Sequence, residues 1–145
     1  MNNKLTTYHF GSADETTSFG ASLAQELSAS ETIGLTGPLG AGKTHLVRAL
    51  VAGLGGDAKK VASPSFTLQY EYALPEGRLL EHWDLYRVDA LPLELYEPPA
   101  IGVIRVIEWW EKFAELERTL TRKIRFSIVD QDSRSVTMDV CGGTV

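Results

Sequence analysis

The sequence predicts an α/β fold with a mostly parallel central sheet, flanking helices and antiparallel strands at the rims of the sheet. Short apolar runs typical of buried strands alternate with segments that have helical spacing. A glycine-rich stretch joins one of these strands to the next helix, and two segments of alternating apolar residues close the sequence. The length of 145 residues suits one domain, which we expect to span residues 1–145.

The N-terminal segment predicts an edge strand followed by a helix. The strand is expected at residues 5–10. Ser12 and Glu15 have the spacing of a capping box, with Ser12 as the N-cap residue. The helix that follows should bury one face, formed by Phe19, Leu23 and Leu27.

The remaining elements are predicted from apolar periodicity. A strand at 32–36 leads into the glycine-rich stretch, and the helix after it should end near Gly55 and Gly56. Residues 103–108 are almost continuously apolar, as in a parallel strand covered on both faces. The other expected elements are a strand at 78–84, an amphipathic helix at 110–120, and a terminal hairpin with Ile124, Phe126 and Ile128 on one strand and Val136, Met138 and Val140 on the other.

The composition narrows the class of protein. With 43% hydrophobic and 23% charged residues, the chain is typical of a soluble globular protein. The net charge of −5 argues against direct binding to a nucleic-acid backbone, so we expect no DNA partner and any RNA to be presented by another protein. Cys141 is the single cysteine, which excludes an internal disulfide. Since no apolar run is long enough for a signal peptide or a membrane span, we expect a cytoplasmic protein.

Residues 37–44 read GPLGAGKT and match G-x-x-x-x-G-K-[ST] without a gap. In such a loop, backbone N–H groups turn toward phosphate oxygens, and the following helix directs its positive dipole end at them. The motif predicts a P-loop NTPase-like fold and a site for a nucleoside triphosphate. Lys43 should contact the β- and γ-phosphates, and Thr44 should ligate Mg²⁺. The expected backbone contacts come from Leu39, Gly40, Ala41 and Gly42.

Two acidic residues follow predicted strands. Asp84 ends the strand in HWDLYR, and Glu108 ends the strand in VIEWW. In open α/β sheets ligands bind at the carboxyl ends of the strands, so both carboxylates should lie beside the glycine loop. Either could ligate Mg²⁺, directly or through water, and either could activate the attacking water. The sequence alone does not divide these roles between them.

Other polar and aromatic residues carry weaker signals. A hydroxyl in SPSFT, residues 63–67, could sense the γ-phosphate, although a proline turn that enters a strand is the preferred explanation of the segment. The histidines at 9, 45 and 82 lack the spacing of metal ligands and are expected to be surface or packed side chains. Trp109 and Trp110 could stack on a base or a partner, or they could pack in the core.

The order GPLGAGKT, SPSFTLQYEY, HWDLYRV and VIEWWEK resembles the TsaE (YjeE) family, over about residues 5–130. The resemblance implies a small P-loop ATPase of bacterial tRNA threonylcarbamoyladenosine synthesis. Its implied partners are TsaD, which transfers the threonylcarbamoyl group, and TsaB, the non-catalytic relative of TsaD. The machinery modifies adenosine 37 of tRNA, and ATP hydrolysis is implied to reset the assembly between turnovers.

The resemblance also implies roles for single residues. Lys43 becomes the phosphate clamp, Thr44 and Glu108 the magnesium-site residues, and Asp84 the acid needed for hydrolysis. Further implied nucleotide-site residues are Ser12 and Ala13 from the N-terminal segment, Ser65 at a switch position, and Trp109 beside Glu108. The sequence departs from the family at Trp110, where proline is common, and in the segment 88–102, which looks shorter than usual.

The runner-up interpretation is a small P-loop metabolite kinase. Such kinases usually add a lid and an acceptor-binding insertion, and no long insertion is visible in the sequence. A GTP switch is disfavoured because the sequence contains no Asn-Lys-x-Asp stretch. A pure scaffold is disfavoured because it would not need the intact Lys43-Thr44 pair.

Overall fold

The structure, a computed structural model, describes residues 4–61 and 68–141. Within these ranges the chain forms one seven-stranded sheet, two α-helices and several short 3₁₀ helices. The strands are β1 (Lys4–Phe10), β2 (Glu31–Thr36), β3 (Gln69–Ala73), β4 (Leu79–Asp84), β5 (Val103–Glu108), β6 (Arg122–Ile128) and β7 (Arg134–Val140). The α-helices are α1 (Ala13–Glu26) and α2 (Lys43–Gly53), and the 3₁₀ helices nearest the site are Trp110–Lys112 and Ala114–Thr119.

The strand order is β1-β7-β6-β2-β5-β4-β3. Strand β2 lies at the centre, parallel to both β5 and β6, and β4 is parallel to β5. The other three pairings, β1 with β7, β7 with β6, and β3 with β4, are antiparallel. The predicted fold class is confirmed, including the edge strand β1 and the terminal hairpin β6–β7. Strand β3, for which the sequence analysis expected a strand after residues 63–67 but gave no bounds, is antiparallel and lies at the opposite rim.

Both α-helices pack on one face of the sheet and bury the larger apolar core with side chains from all seven strands. Helices α1 and α2 approach closely at Gly20, where an added Cβ would lie 2.4 Å from the Cβ of Ala49. Only glycine permits this spacing. The opposite face of the sheet carries a second cluster under the segments that connect β4 to β5 and β5 to β6. Its buried members are Trp83, Leu85, Leu91, Leu95, Ile107 and Leu116.

The predicted capping box is wrong, because its reciprocal hydrogen bonds are not formed. Ser12 occupies the N-cap position of α1, but its side chain makes no capping hydrogen bond. The carboxylate of Glu15 instead accepts a hydrogen bond from the backbone N–H of Gly11, at 3.1 Å. Glu15 therefore reaches one residue beyond the N-cap, and the reciprocal bond is not formed.

The predicted amphipathic helix at 110–120 is also wrong. The segment forms two 3₁₀ helices, which are separated by Phe113 in an extended conformation with φ −126° and ψ 102°. Trp110, Phe113 and Leu116 are spaced by three residues, a period that fits a 3₁₀ helix as well as an α-helix. No helix in the described ranges is both long and apolar enough to cross a membrane.

Candidate functional site

The glycine loop lies between β2 and α2, as predicted. Gly42 precedes the helix with φ 111°, a left-handed conformation that favours glycine. Gly37 has φ 149°, and a Cβ on it would lie 2.9 Å from the Cβ and the carbonyl oxygen of Phe126 on β6. The two glycines therefore allow the loop to turn sharply while it stays packed against the central sheet. The loop then delivers Lys43 and Thr44 to the first turn of α2.

Lys43 is oriented by three neighbours. Its Nζ donates a hydrogen bond to the carbonyl oxygen of Gly37 at 2.7 Å and lies 3.4 Å from Oε1 of Glu108. The same Nζ lies 5.7 Å from the centroid of the Trp109 ring. Because the side chain is only 11% exposed, its charge acts on the loop and on the end of β5 with little screening by water.

The predicted carboxylates come together beside the loop. Asp84 and Glu108 end neighbouring parallel strands and are register partners, and Glu108 is also the partner of Leu35 on β2. Glu108 is buried, whereas Asp84 is partly exposed. The backbone N–H of Tyr86 donates to Oδ1 of Asp84 at 3.0 Å, which fixes the orientation of this carboxylate.

The surroundings shift the pKa values of Asp84 and Glu108 in opposite directions. Burial raises the pKa of Asp84, and the charge of Glu108 raises it further, against the opposing hydrogen bond from Tyr86. Burial alone would also raise the pKa of Glu108. The hydrogen bond and the electrostatic contact with His82, followed by those with Lys43, outweigh that cost and hold the pKa of Glu108 below its usual range.

His82 is a packed side chain, one of the two expectations for the histidines, but its contact with Glu108 was not predicted. The ring is completely buried, and Nε2 lies 2.6 Å from Oε2 of Glu108. The signal was its position two residues before Asp84 on β4. Residues two apart on a strand share a face of the sheet, so His82 lies on the face of Asp84, and the register of β4 and β5 brings Glu108 onto the same face.

Trp109 stands beside the site in a left-handed conformation with φ 63°, which is unusual for a residue with a bulky side chain. Its ring is tilted against that of Tyr86, with the centroids 4.9 Å apart. The Trp109 ring also lies 5.7 Å from Nζ of Lys43, so Trp109 is close to the glycine loop. The backbone turn at Trp109 directs the chain away from the end of β5 immediately after Glu108.

Lys112 joins the two segments that follow the carboxylates. Its Nζ donates hydrogen bonds to the carbonyl oxygens of Leu85 at 3.0 Å, Tyr86 at 2.8 Å and Val88 at 2.8 Å. All three donors of the ammonium group are thereby used. The loop after Asp84 is thus tied to the 3₁₀ helix that follows Trp109.

A cleft of about 400 Å³ opens on the other side of the glycine loop. The start of α1, the start of α2 and the turn of the β6–β7 hairpin form its walls. The guanidinium of Arg134 donates to the carbonyl oxygen of Gly40 at 3.2 Å and so connects this turn to the loop. The lining residues are Gly11, Ser12, Ala13, Thr16, Ala41, Gly42, His45, Gln131, Asp132 and Arg134.

The remaining predicted residues have separate outcomes. The cleft brings Ser12 and Ala13 together with Ala41 and Gly42, and the expected contact of Ser12 and Ala13 with a nucleotide stays a prediction. Leu39 lies in the loop with its side chain 96% exposed, so its expected contribution is that of its backbone. Ser65 falls outside the described residues, and its role stays a prediction.

The donor atoms at the loop fit Mg²⁺. Among the residues that the structure describes, no three His, Cys, Asp or Glu side chains form a cluster that could hold a metal ion by themselves. Thr44, Asp84 and Glu108 offer oxygen atoms, which Mg²⁺ prefers, and Mg²⁺ in nucleotide sites is usually held by one or two carboxylates together with phosphates and water. The set therefore suits an ion that is shared with bound phosphates.

Comparison with known proteins gives a consistent result. The family model described as "Threonylcarbamoyl adenosine biosynthesis protein TsaE" matches residues 10–136. Relatives named tRNA threonylcarbamoyladenosine biosynthesis protein TsaE occur in Synechocystis sp., with 37% identity over 125 residues, 80% of this chain and 77% of the relative, and in Aquifex aeolicus, with 36% identity over 126 residues, 86% of this chain and 89% of the relative. The crystal structure of YdiB from Bacillus subtilis superimposes with a TM-score of 0.73 at 26% identity and covers 98% of this chain and 89% of that chain. The resemblance drawn from the four sequence motifs is confirmed, and the chain belongs to the TsaE family.

Proposed function

We propose that this protein is the Mg²⁺-dependent ATPase of the tRNA threonylcarbamoyladenosine machinery and that it works in the cytoplasm with TsaD and TsaB. The observation that carries the proposal is the position of Lys43, which lies in a complete GPLGAGKT loop 3.4 Å from Glu108, the register partner of Asp84. A phosphate clamp and two acids at adjoining strand ends are the parts that nucleotide hydrolysis requires. Membership of the TsaE family supplies the biological setting.

The loop and the cleft support a direction for the nucleotide. Lys43 and the carboxylates lie on the β5 and β4 side of β2, whereas the cleft lies toward β6 and β7. The γ-phosphate would therefore face Glu108 and Asp84, and the adenosine would enter the cleft near Ser12, Ala13 and His45. The backbone N–H groups from Leu39 to Thr44 would hold the phosphates between these two ends.

The chemistry that we propose depends on position and charge. Lys43 would leave its contact with the carbonyl of Gly37 to bind the γ-phosphate, and the loop amides would neutralise the growing negative charge. Bound Mg²⁺ would supply further charge stabilisation at the phosphates, with Thr44 and Glu108 as the residues that hold it. Asp84, held by the N–H of Tyr86, would orient the attacking water.

The partners would provide what this chain does not carry. A net charge of −5 does not favour a direct grip on tRNA, so we assign tRNA binding to TsaD and TsaB. Hydrolysis would reset their complex between rounds of modification. The isolated chain should accordingly turn over ATP slowly, and the TsaB–TsaD pair should accelerate it.

The test is ATP hydrolysis by the purified protein, measured alone and with TsaB and TsaD from the same source. The Lys43→Ala variant serves as the blank in both conditions. Strong stimulation that disappears in the blank would support the proposal. If the folded protein binds ATP but the pair does not change its turnover, the partner-dependent function is wrong, and a screen for phosphorylation of small metabolites becomes the next experiment.

A further inference from the structure

The carboxylate of Glu108 is held from two sides. Its Oε1 faces Lys43 at 3.4 Å, and its Oε2 lies 2.6 Å from Nε2 of His82. The Glu108 side chain is 7% exposed and the ring of His82 is 0% exposed, so water does not compete for the second contact. The two oxygens of one carboxylate therefore have different neighbours.

His82 acts as a hydrogen-bond donor in this pair. A carboxylate oxygen can only accept, so the bond requires a hydrogen on Nε2. Nδ1 is buried and has no hydrogen-bond partner among the described residues, so a hydrogen there would be left unsatisfied. The geometry therefore places the donated hydrogen on Nε2.

We infer that His82 is a positioning residue that occupies Oε2 of Glu108 and leaves Oε1 as the single oxygen that this carboxylate offers to the glycine loop. Without this donor, the buried carboxylate would gain by turning both oxygens toward Lys43, since a charged acceptor seeks every available donor. The inference rests on the proposed function, because it assigns Glu108 a one-oxygen role beside Mg²⁺ and leaves the orientation of water to Asp84.

Replacement of His82 by glutamine or by asparagine distinguishes this positioning role from simple packing. The amide nitrogen of glutamine can reach the place of Nε2, whereas the amide of asparagine ends near the place of Nδ1. His82→Gln should therefore keep the donor to Glu108, and His82→Asn should lose it while it keeps a polar side chain in the same cavity. Should the Asn variant melt below the assay temperature, His82→Leu replaces it, since buried leucine needs no hydrogen-bond partner.

The experiment is a Mn²⁺ titration followed by electron paramagnetic resonance, with the full chain and a non-hydrolysable ATP analogue. We expect the Asn variant to bind Mn²⁺ about tenfold more weakly than the wild type, and the Gln variant to stay within about threefold, as is usual when the partner of a metal-binding carboxylate is lost or conserved. Affinity for the analogue in EDTA should stay the same in all variants. His9→Asn, which changes an exposed histidine on β1, is the matched control and should not alter Mn²⁺ binding.

A double variant tests whether His82 affects Mn²⁺ binding through Glu108. In a Glu108→Gln background, His82→Asn should cause no additional loss of Mn²⁺ affinity, because the residue through which it acts has been changed. Equal Mn²⁺ affinities for the wild type and the Asn variant, or a full further loss in the double variant, would overturn the inference. If the wild type hydrolyses ATP and binds Mn²⁺ with the analogue, such a result overturns the role of His82 alone; if the wild type does neither, the proposed ATPase function fails together with it.

Discussion

Lys43 and Glu108 are paired at the end of β5, with Nζ 3.4 Å from Oε1. The lysine belongs to the loop that should bind phosphate, and the glutamate belongs to the strand that should support the metal. The two halves of the proposed chemistry are thus in contact through one ion pair. Substitution of either residue should therefore change the position and electrostatic environment of the other.

Replacement of Lys43 by alanine should weaken ATP binding at least about tenfold, which corresponds to about 1.4 kcal/mol. The physical reason is the loss of a buried cation that would contact the phosphates. Titration calorimetry with ATP and Mg²⁺ measures the effect. Lys59→Ala, which removes an exposed lysine elsewhere, is the control and should bind ATP normally. Unchanged affinity in the Lys43 variant would contradict the assignment of the phosphate clamp.

Asp84→Asn should lose activity and gain stability. Hydrolysis should fall about a hundredfold or more if the carboxylate orients water, while ATP affinity stays within about threefold. Burial raises the pKa of Asp84, so the folded chain holds this proton more tightly than the unfolded chain. Ionisation of Asp84 therefore costs stability as the pH rises above its ordinary value of 3.8 and through the higher folded pKa.

Melting curves at several pH values check the second half of this prediction. At pH 7 the Asp84→Asn variant should melt at most a few degrees higher than the wild type, and the difference should vanish at a pH well below 3.8, where Asp84 is protonated in both states. The amide oxygen of the introduced asparagine can still accept the hydrogen bond from Tyr86, so the comparison isolates the charge. A variant that melts lower at pH 7, or one that hydrolyses ATP at the normal rate, would contradict the prediction.

Glu31 should make the fold sensitive to acid. Burial alone would raise the pKa of Glu31, but hydrogen bonds from Thr121 and Ser28 and the charge of Arg122 outweigh it and lower that pKa. The stabilisation is therefore complete above the ordinary value of 4.5 and is lost as the pH falls through the folded pKa. Glu31→Gln should reduce the free energy of unfolding at pH 7 by roughly 1–3 kcal/mol, measured by urea denaturation.

Glu26, a second ion-pair partner of Arg122, provides the control for this prediction. Glu26 is 57% exposed and approaches Nη1 of Arg122 at 3.8 Å, so Glu26→Gln should change the free energy of unfolding by less than about 1 kcal/mol. The difference between the Glu31 variant and the wild type should shrink below pH 4.5, because protonation of Glu31 removes the same charge. A constant difference across the pH range would show that packing, not charge, explains the loss.

Lys112→Met should slow hydrolysis about tenfold with little change in ATP affinity. The three carbonyl contacts of Lys112 hold the loop that follows Asp84, and their loss should let the carboxylate leave its orientation. Steady-state kinetics give the rate, and calorimetry gives the affinity. Lys123→Met, which breaks an exposed pair with Glu117, is the matched control and should leave the rate unchanged. An equal effect in both variants would argue for a general loss of charge.

Much of the fold could be predicted because its signals are local. The apolar run of β5, the alternation of the terminal hairpin and the glycine loop each depend on neighbouring residues, and the structure has all three elements. The bounds of strand β3 were not predicted because Gln69 to Ala73 is short and only partly buried, and because it is stabilised by pairing with β4. The helix predicted at 110–120 failed because the spacing of its apolar residues does not distinguish an α-helix from a 3₁₀ helix.

In the candidate site, too, residues with a local sequence signal were predicted, and residues that depend on tertiary contacts were not. Asp84 and Glu108 were predicted because each ends a recognisable strand, and parallel strands bring their carboxyl ends together. The contact of His82 with Glu108 joins residues 26 positions apart and depends on the register of β4 and β5, which no single segment encodes. Lys112 was missed for a related reason, since three backbone carbonyls give no pattern of side chains to recognise.

The central position of β2 has a consequence for how such a protein can change. On one flank, β5 and β4 carry the acids of the proposed reaction; on the other, β6 and β7 carry the hairpin turn that borders the cleft. If the nucleotide lies as proposed, substitutions in the turn at 131–134 should alter nucleotide preference without moving the acids, and substitutions on the β4 flank should alter the rate of hydrolysis without moving the adenine. Under the proposed function, nucleotide selectivity and hydrolysis rate would then be separately adjustable, because β2 and the glycine loop lie between the residues proposed for each.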